Sequence, residues 1–238
     1  MNRYRFQPTW YISALALCTV LAMISLGIWQ THRAEFKEAL KLRFTLRSQT
    51  ELSNLSDLAQ FGKDVADYPI RTAGTVDNSH VILLDNQVHE MRAGFDVLNV
   101  LTTQNGEHIL INRGWVPLVN NNRTPLPAIA PIEGELTVHG RIYVPNPAQF
   151  LLREDNYSQY AWPLVIQKIE FDKLSAVLGT ELKPFVIRLN PDASQPLLRD
   201  WQSNAMPAEK HRAYALQWFV MAAVVVGLYA KLNLKKLD

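Results

Sequence analysis

The chain has one cysteine, Cys18, among its 238 residues. A lone thiol excludes an internal disulfide, and with it any C-x-x-C redox or zinc site. Cys18 lies in an apolar run, where it reads as a small packing residue. The glycine patterns of nucleotide binding, G-x-G-x-x-G and G-x-x-x-x-G-K-[ST], are missing, as is H-E-x-x-H. No serine sits in a nucleophile-elbow pattern. Basic runs with interleaved aromatics are missing too, and the formal net charge is only +2, so nucleic acid is not an expected partner. His80, His89, His108 and His139 lie far apart in or beside strand-like runs and read as surface or satisfied core residues. Residue types therefore give no footing for a hydrolase or redox enzyme, and the chain is read as non-enzymatic.

Charge is missing from two stretches, Phe6 to Thr31 and Ala213 to Ala230. Crossing a bilayer core takes about 20 apolar helical residues. Both stretches predict transmembrane helices, over 10–30 and 212–230. The first could instead be a cleaved signal peptide. Against this, its apolar run exceeds the roughly 7–15 residues of a signal core, and no A-x-A site follows. Arg3 and Arg5 precede the first span; Lys231, Lys235 and Lys236 follow the second. The positive-inside rule then puts both termini, 1–9 and 231–238, in the cytoplasm and residues 31–211 outside it. With no long Arg- and Ser-rich leader, the expected location is a bacterial plasma (inner) membrane, with a periplasmic central domain.

Between the spans, residues 31–60 carry a helical pattern that FGKD at 61–64 should end. From about Tyr68 the apolar period becomes two. PIRTAGTV and HVILLDNQ predict a strand pair turning at Asp77-Asn78-Ser79. GFDVLNVLTTQ and EHILINRGWVPL flank Asn105-Gly106, a strong hairpin signal. GELTVHGRIYVP and KPFVIRLN predict two further strands, and FDKLSAVLG a helix stopped by Gly179. NNNRTPLPAIAPIEG reads as a loop. The expected fold is an α+β membrane protein: two transmembrane helices flanking a mostly antiparallel β-sheet or small β-barrel with one or two helices.

Two constellations lie at the expected membrane boundary. In GIWQTHRAEFK, Gln30, Arg33 and Lys37 share a helix face, with Trp29 placed as an interfacial anchor. This reads either as an aromatic belt before a solvated helix or as a cationic face for phosphates or propionates. In HRAYALQWF, His211, Tyr214, Ala215 and Trp218 fall on one stripe. Ala215 should leave a gap where a flat ring could lie, His211 could ligate haem iron, and Arg212 could meet a propionate. The alternative is an interfacial histidine beside a snorkelling arginine. In INRGWVP, Gly114 should allow a bulge or close backbone approach, and Pro117 should stop ladder pairing. Arg113 and Trp115 read as a strand corner, or as a patch that touches a partner.

Together, GxWQxxRxxxK at 27–37, INRGWVP at 111–117 and HxxYAxxWF at 211–219 resemble the surfeit locus protein 1 family, in that family's order and over essentially the whole chain. The resemblance implies a cytochrome c oxidase assembly factor, acting where haem a enters subunit I. It implies subunit I and haem a synthase as partners, beside the lipid bilayer that the two spans imply. It places the family's proposed haem ligand at His211; on the reading of the residues themselves, Arg33 or Arg212 would then meet the propionates, and Tyr214 and Trp218 would wall the ring. A scaffold that binds oxidase subunits or haem a synthase without holding haem is the alternative. Glu209 and Lys210 stand where the family usually carries asparagines. His32, a variable position of the first motif, is a conceivable second ligand.

Overall fold

The computed structural model describes residues 4–62, 64–151, 154–157, 160–192, 196–201 and 206–236. Arg3 and parts of both expected cytoplasmic tails lie outside them. In chain order the elements are β1 (Tyr4–Phe6), α1 (Trp10–Arg47), a 3-10 helix (Leu55–Phe61), β2 (Pro69–Val76), β3 (Ile82–His89), β4 (Arg92–Thr103), β5 (His108–Pro117), β6 (Glu135–Tyr143), β7 (Leu164–Ile166), α2 (Phe171–Leu178), β8 (Leu182–Leu189), α3 (Ala208–Asn233) and β9 (Leu234–Lys236). They form two compact units, Met1–Arg43 with Ser203–Asp238, and Phe44–Gln202.

The first unit is a helix pair closed at one end by a short antiparallel ladder, in which Arg5 faces Lys235. Both helices are long and apolar enough to cross a bilayer. On α1 the buried or partly buried positions include 13, 16, 20, 23, 27, 30 and 34. On α3 they include 208, 211, 215, 218, 222, 225 and 229. Steps of three and four alternate on each, the spacing of a coiled-coil seam. Gly27, Ala34, Ala208, Ala215 and Ala222 are buried along it, together with His211, and small residues there let backbones approach. Ser13 Oγ and Tyr229 Oη also share a hydrogen bond.

The second unit is mostly antiparallel. Its sheet runs β2-β6-β8-β5-β4-β3-β7, and β2 also pairs with β4, so five strands close into a ring. The parallel pairs are β5–β8 and β3–β7. Side chains alternate between two cores. Ile109 and Ile111 enter one with Ile70, Ile142 and Ile187. Leu110 enters the other with Val186, Leu98 and Leu174 of α2.

The expected strands and α2 are present, with three differences. The 69–76 and 80–87 runs do not pair with each other. β4 is long enough to pair with β3 at one end and β2 at the other, where Val76 faces Leu101. The chain crosses between them at Asp77, whose N–H donates to Val100 O and whose carbonyl accepts from Asn99 Nδ2 at 2.7 Å. The helix after the first span ends at Arg47 rather than near residue 60. Arg47 turns back onto Asp64, donates to Ala66 O at 2.6 Å and stacks on Tyr68. The edge strand β7 is too short to carry a period in the sequence.

The turn at Asn105-Gly106 forms the expected hairpin. Only the glycine takes positive φ, +76°, and its N–H donates to Thr103 O at 3.0 Å. The Pro- and Asn-rich segment is a loop, tied by Arg123 to Asp85 at 2.6 Å and to Asn86 at 2.8 Å. Gly179, at φ +67°, caps α2.

Candidate functional site

The site is built on the helix seam. His211 and Gln30 hold facing places on α3 and α1. The imidazole Nδ1 lies 2.7 Å from Gln30 Oε1. An amide oxygen only accepts, so Nδ1 is the donor of this contact, and in a neutral ring Nε2 is then the nitrogen with the lone pair. His211 is 8% exposed, and Ala215 one turn below is 5% exposed. One residue from His211, the Arg212 guanidinium donates to Glu38 Oε2 at 2.7 Å.

The seam brings together only part of the expected set. His211, Ala215 and Trp218 lie on it; Tyr214 lies beside it, 44% exposed. The gap expected at Ala215 is filled, because α3 packs its small residues inward. Gln30 leaves the cationic face proposed for it and turns to His211. Arg33 is exposed and rests near the Phe36 ring at 5.6 Å. Trp29 is 55% exposed, pointing away from the seam. His32 is exposed, two residues from both Gln30 and Ala34, and so on the far side of α1 from His211. Glu38 was missed. Its place four residues beyond Ala34, on the seam side of the helix, was the available signal.

Metal-bound histidines commonly present one ring nitrogen to the metal and donate the other N–H to a carbonyl or carboxylate. His211 with Gln30 has that donor form.

In the second unit, INRGWVP forms the end of β5. Arg113 is the bulged residue, since Asn112 faces Leu98 while Gly114 faces Val97. Its guanidinium is buried and donates to Asn99 Oδ1 at 3.2 Å and Ala130 O at 2.7 Å. Burial, and then the nearby Arg199, lowers its pKa. Gly114 sits at φ +130°, and Trp115 exchanges backbone hydrogen bonds with Leu198 at 2.7 and 3.0 Å. Trp115 packs its indole against Gly94 and donates to Gln87 O at 3.2 Å. The strand stops at Pro117 as expected.

Asp77, Ser79 and His80 form a cluster of acid, hydroxyl and imidazole. Ser79 Oγ donates to Asp77 Oδ1 at 2.5 Å, and His80 Nδ1 meets Asp77 Oδ2 at 2.6 Å. Ser79 Oγ also lies 3.3 Å from His80 Nδ1, so serine and aspartate address the same ring nitrogen, and the serine proton goes to the acid rather than to a base. This closes a turn; it does not activate a nucleophile. His89, His108 and His139 have separate neighbours: Trp115, Thr102 and Glu51.

A model of the SURF1 family, named for surfeit locus protein 1, matches residues 17–223. The chain belongs to the SURF1 family. The match spans all three motifs, from Gly27 to Phe219. No curated protein matches the chain. Membership in the SURF1 family is consistent with a part in cytochrome oxidase assembly, and the family is one of assembly factors rather than enzymes. For this SURF1 protein the motifs have distinct physical jobs. The first and last meet at Gln30 and His211, and the middle one builds a strand corner.

Proposed function

We propose that this SURF1-family protein is a membrane assembly factor for cytochrome c oxidase that holds haem a transiently on its way into subunit I. The observation that carries the proposal is the His211–Gln30 pair. Gln30 fixes the imidazole so that Nε2 is the available ligand. The filled seam at Ala215 leaves the outer side, beside Tyr214, for the ring, with the half-buried Trp218 at its edge. Arg33, exposed on α1, is the proposed partner of a propionate, since Arg212 would first have to leave Glu38. A carrier must release its cargo, and one histidine ligand suits that. Subunit I and haem a synthase are the proposed partners. Both helices span a bacterial inner membrane in this reading, with both termini cytoplasmic and the 31–211 region periplasmic.

The same pair also favours a second reading, a scaffold that binds oxidase subunits or haem a synthase without haem. A buried histidine already hydrogen-bonded in a seam serves helix packing equally well. The deciding experiment is an absorption spectrum with pigment extraction on protein purified from haem a-making cells, comparing wild type, His211→Ala and Gln30→Ala. A haem a signal lost in His211→Ala and weakened in Gln30→Ala supports the carrier. No haem in the wild type, with oxidase partners still co-purifying, supports the scaffold.

A further inference from the structure

A cavity of about 520 Å³ lies in the sheet unit, between the 3-10 helix and the start of β8. Ligand pockets commonly hold about 300–1,000 Å³. Its walls are largely apolar: Leu55, Leu58 and Ala59 from the 3-10 helix, then Val65, Val144 and Phe185. Unfilled apolar space forfeits dispersion contacts, and a short cover would be expected to collapse into it. This cover is held at its two ends instead. Asn54 N–H donates to Asp57 Oδ2 at 3.2 Å across its first turn. Phe61 at its far end stacks on Tyr68 with ring centroids 4.3 Å apart.

The lining also includes a charge pair. Lys183 Nζ lies 2.8 Å from Glu107 Oε1, and both side chains reach solvent, at 44% and 27% exposed. The pair is neutral as a whole. A head group with a single charge would be attracted by one partner and repelled by the other. A head carrying both charges can place its anion on Lys183 and its cation on Glu107.

We infer that this cavity is a binding site for a single-chain zwitterionic amphiphile, its chain under the 3-10 helix and its head on Lys183 and Glu107. The proposal is independent of the haem reading, because no residue of the helix seam takes part.

The test uses the full chain in detergent and a lysophosphatidylethanolamine with a photoreactive group in its acyl chain. Labelled peptides are mapped by mass spectrometry. The helix pair, which meets detergent, supplies the unspecific background. Saturable labelling of peptides containing 55–65 and 183–185 is expected. Unlabelled lysophosphatidylethanolamine should compete about tenfold better than palmitate or hexadecanol, as one charge-assisted contact allows. Ala59→Trp should remove that labelling, and Lys183→Gln should weaken competition about tenfold. Labelling confined to the helices would overturn the site. Palmitate competing equally well, or labelling indifferent to Lys183→Gln in a protein with an unchanged tryptophan spectrum, would overturn the head-group assignment. Lys183→Gln decides the matter even if Ala59→Trp does not fold.

Discussion

Gly27 sits against the ring of Phe219: a Cβ built on it would lie 2.5 Å from Phe219 Cε1. The helices of the pair are therefore as close as this contact permits. Phe219 is 39% exposed, so its ring can swing outward for a methyl group but not for a branched side chain. We predict that Gly27→Ala lowers the thermal midpoint of the detergent-solubilised protein only slightly. Gly27→Leu should cost about 1–3 kcal/mol, as overpacked sites do. Phe219→Ala should recover much of that loss in the double variant, and an additive double variant would refute the contact.

Gly114 is constrained by backbone as well as by space. At φ +130° an L side chain is strained, and its Cβ would lie 2.8 Å from Leu198 O, which cannot swing aside. Gly114→Ala should break the Trp115–Leu198 backbone pair. The expected result is a red-shifted, quenchable Trp115 emission and a stability loss of at least about 1–3 kcal/mol. Wild-type emission and midpoint in this variant would show that the strand corner can relax.

Arg113 ties the bulge to the crossover, because Asn99 accepts from Arg113 and donates to Asp77 O. Arg113→Ala strands Asn99 Oδ1 in the buried interior, and an orphaned buried acceptor costs about 1–3 kcal/mol, while Ala130 O, on an exposed residue, can turn to water. Arg113→Lys keeps the charge but loses the planar fork, so it should also destabilise, though less. Urea midpoints measure both. An Arg113→Ala protein of native stability that fails only to bind oxidase subunits would assign Arg113 to partner contact instead.

Much of the sheet could be read in the sequence because its signals are local. Gly106, Gly179 and Pro117 each act within a few residues, and they stop a strand or a helix where expected. The pairing of β2 could not be read so. It depends on Asn99 reaching Asp77 O from a strand 22 residues on. The helix seam was half legible. His211, Ala215 and Trp218 lie on one stripe by spacing alone. Gln30 was grouped with Arg33 because both are polar and three residues apart. What separates them is the packing of Gly27 and Ala34, a property of two helices together and not of either sequence.

Asp96 is buried and accepts from Asn112 Nδ2 at 2.7 Å. Burial raises its pKa above the ordinary 3.8, against the opposing pull of that hydrogen bond and of Arg188. A carboxyl whose folded pKa is raised stabilises the fold when protonated. That contribution is fully present below the unfolded value and is lost as pH rises through the folded one. At neutral pH the ionised Asp96 is therefore a net cost. Asp96→Asn keeps an oxygen for Asn112 and removes the buried charge. We predict that the variant is more stable than wild type at pH 7, and that the difference shrinks steadily as pH falls toward 3.8. Urea titrations at several pH values test this. A variant less stable than wild type at pH 7 would mean that the attraction to Arg188 outweighs the desolvation of Asp96.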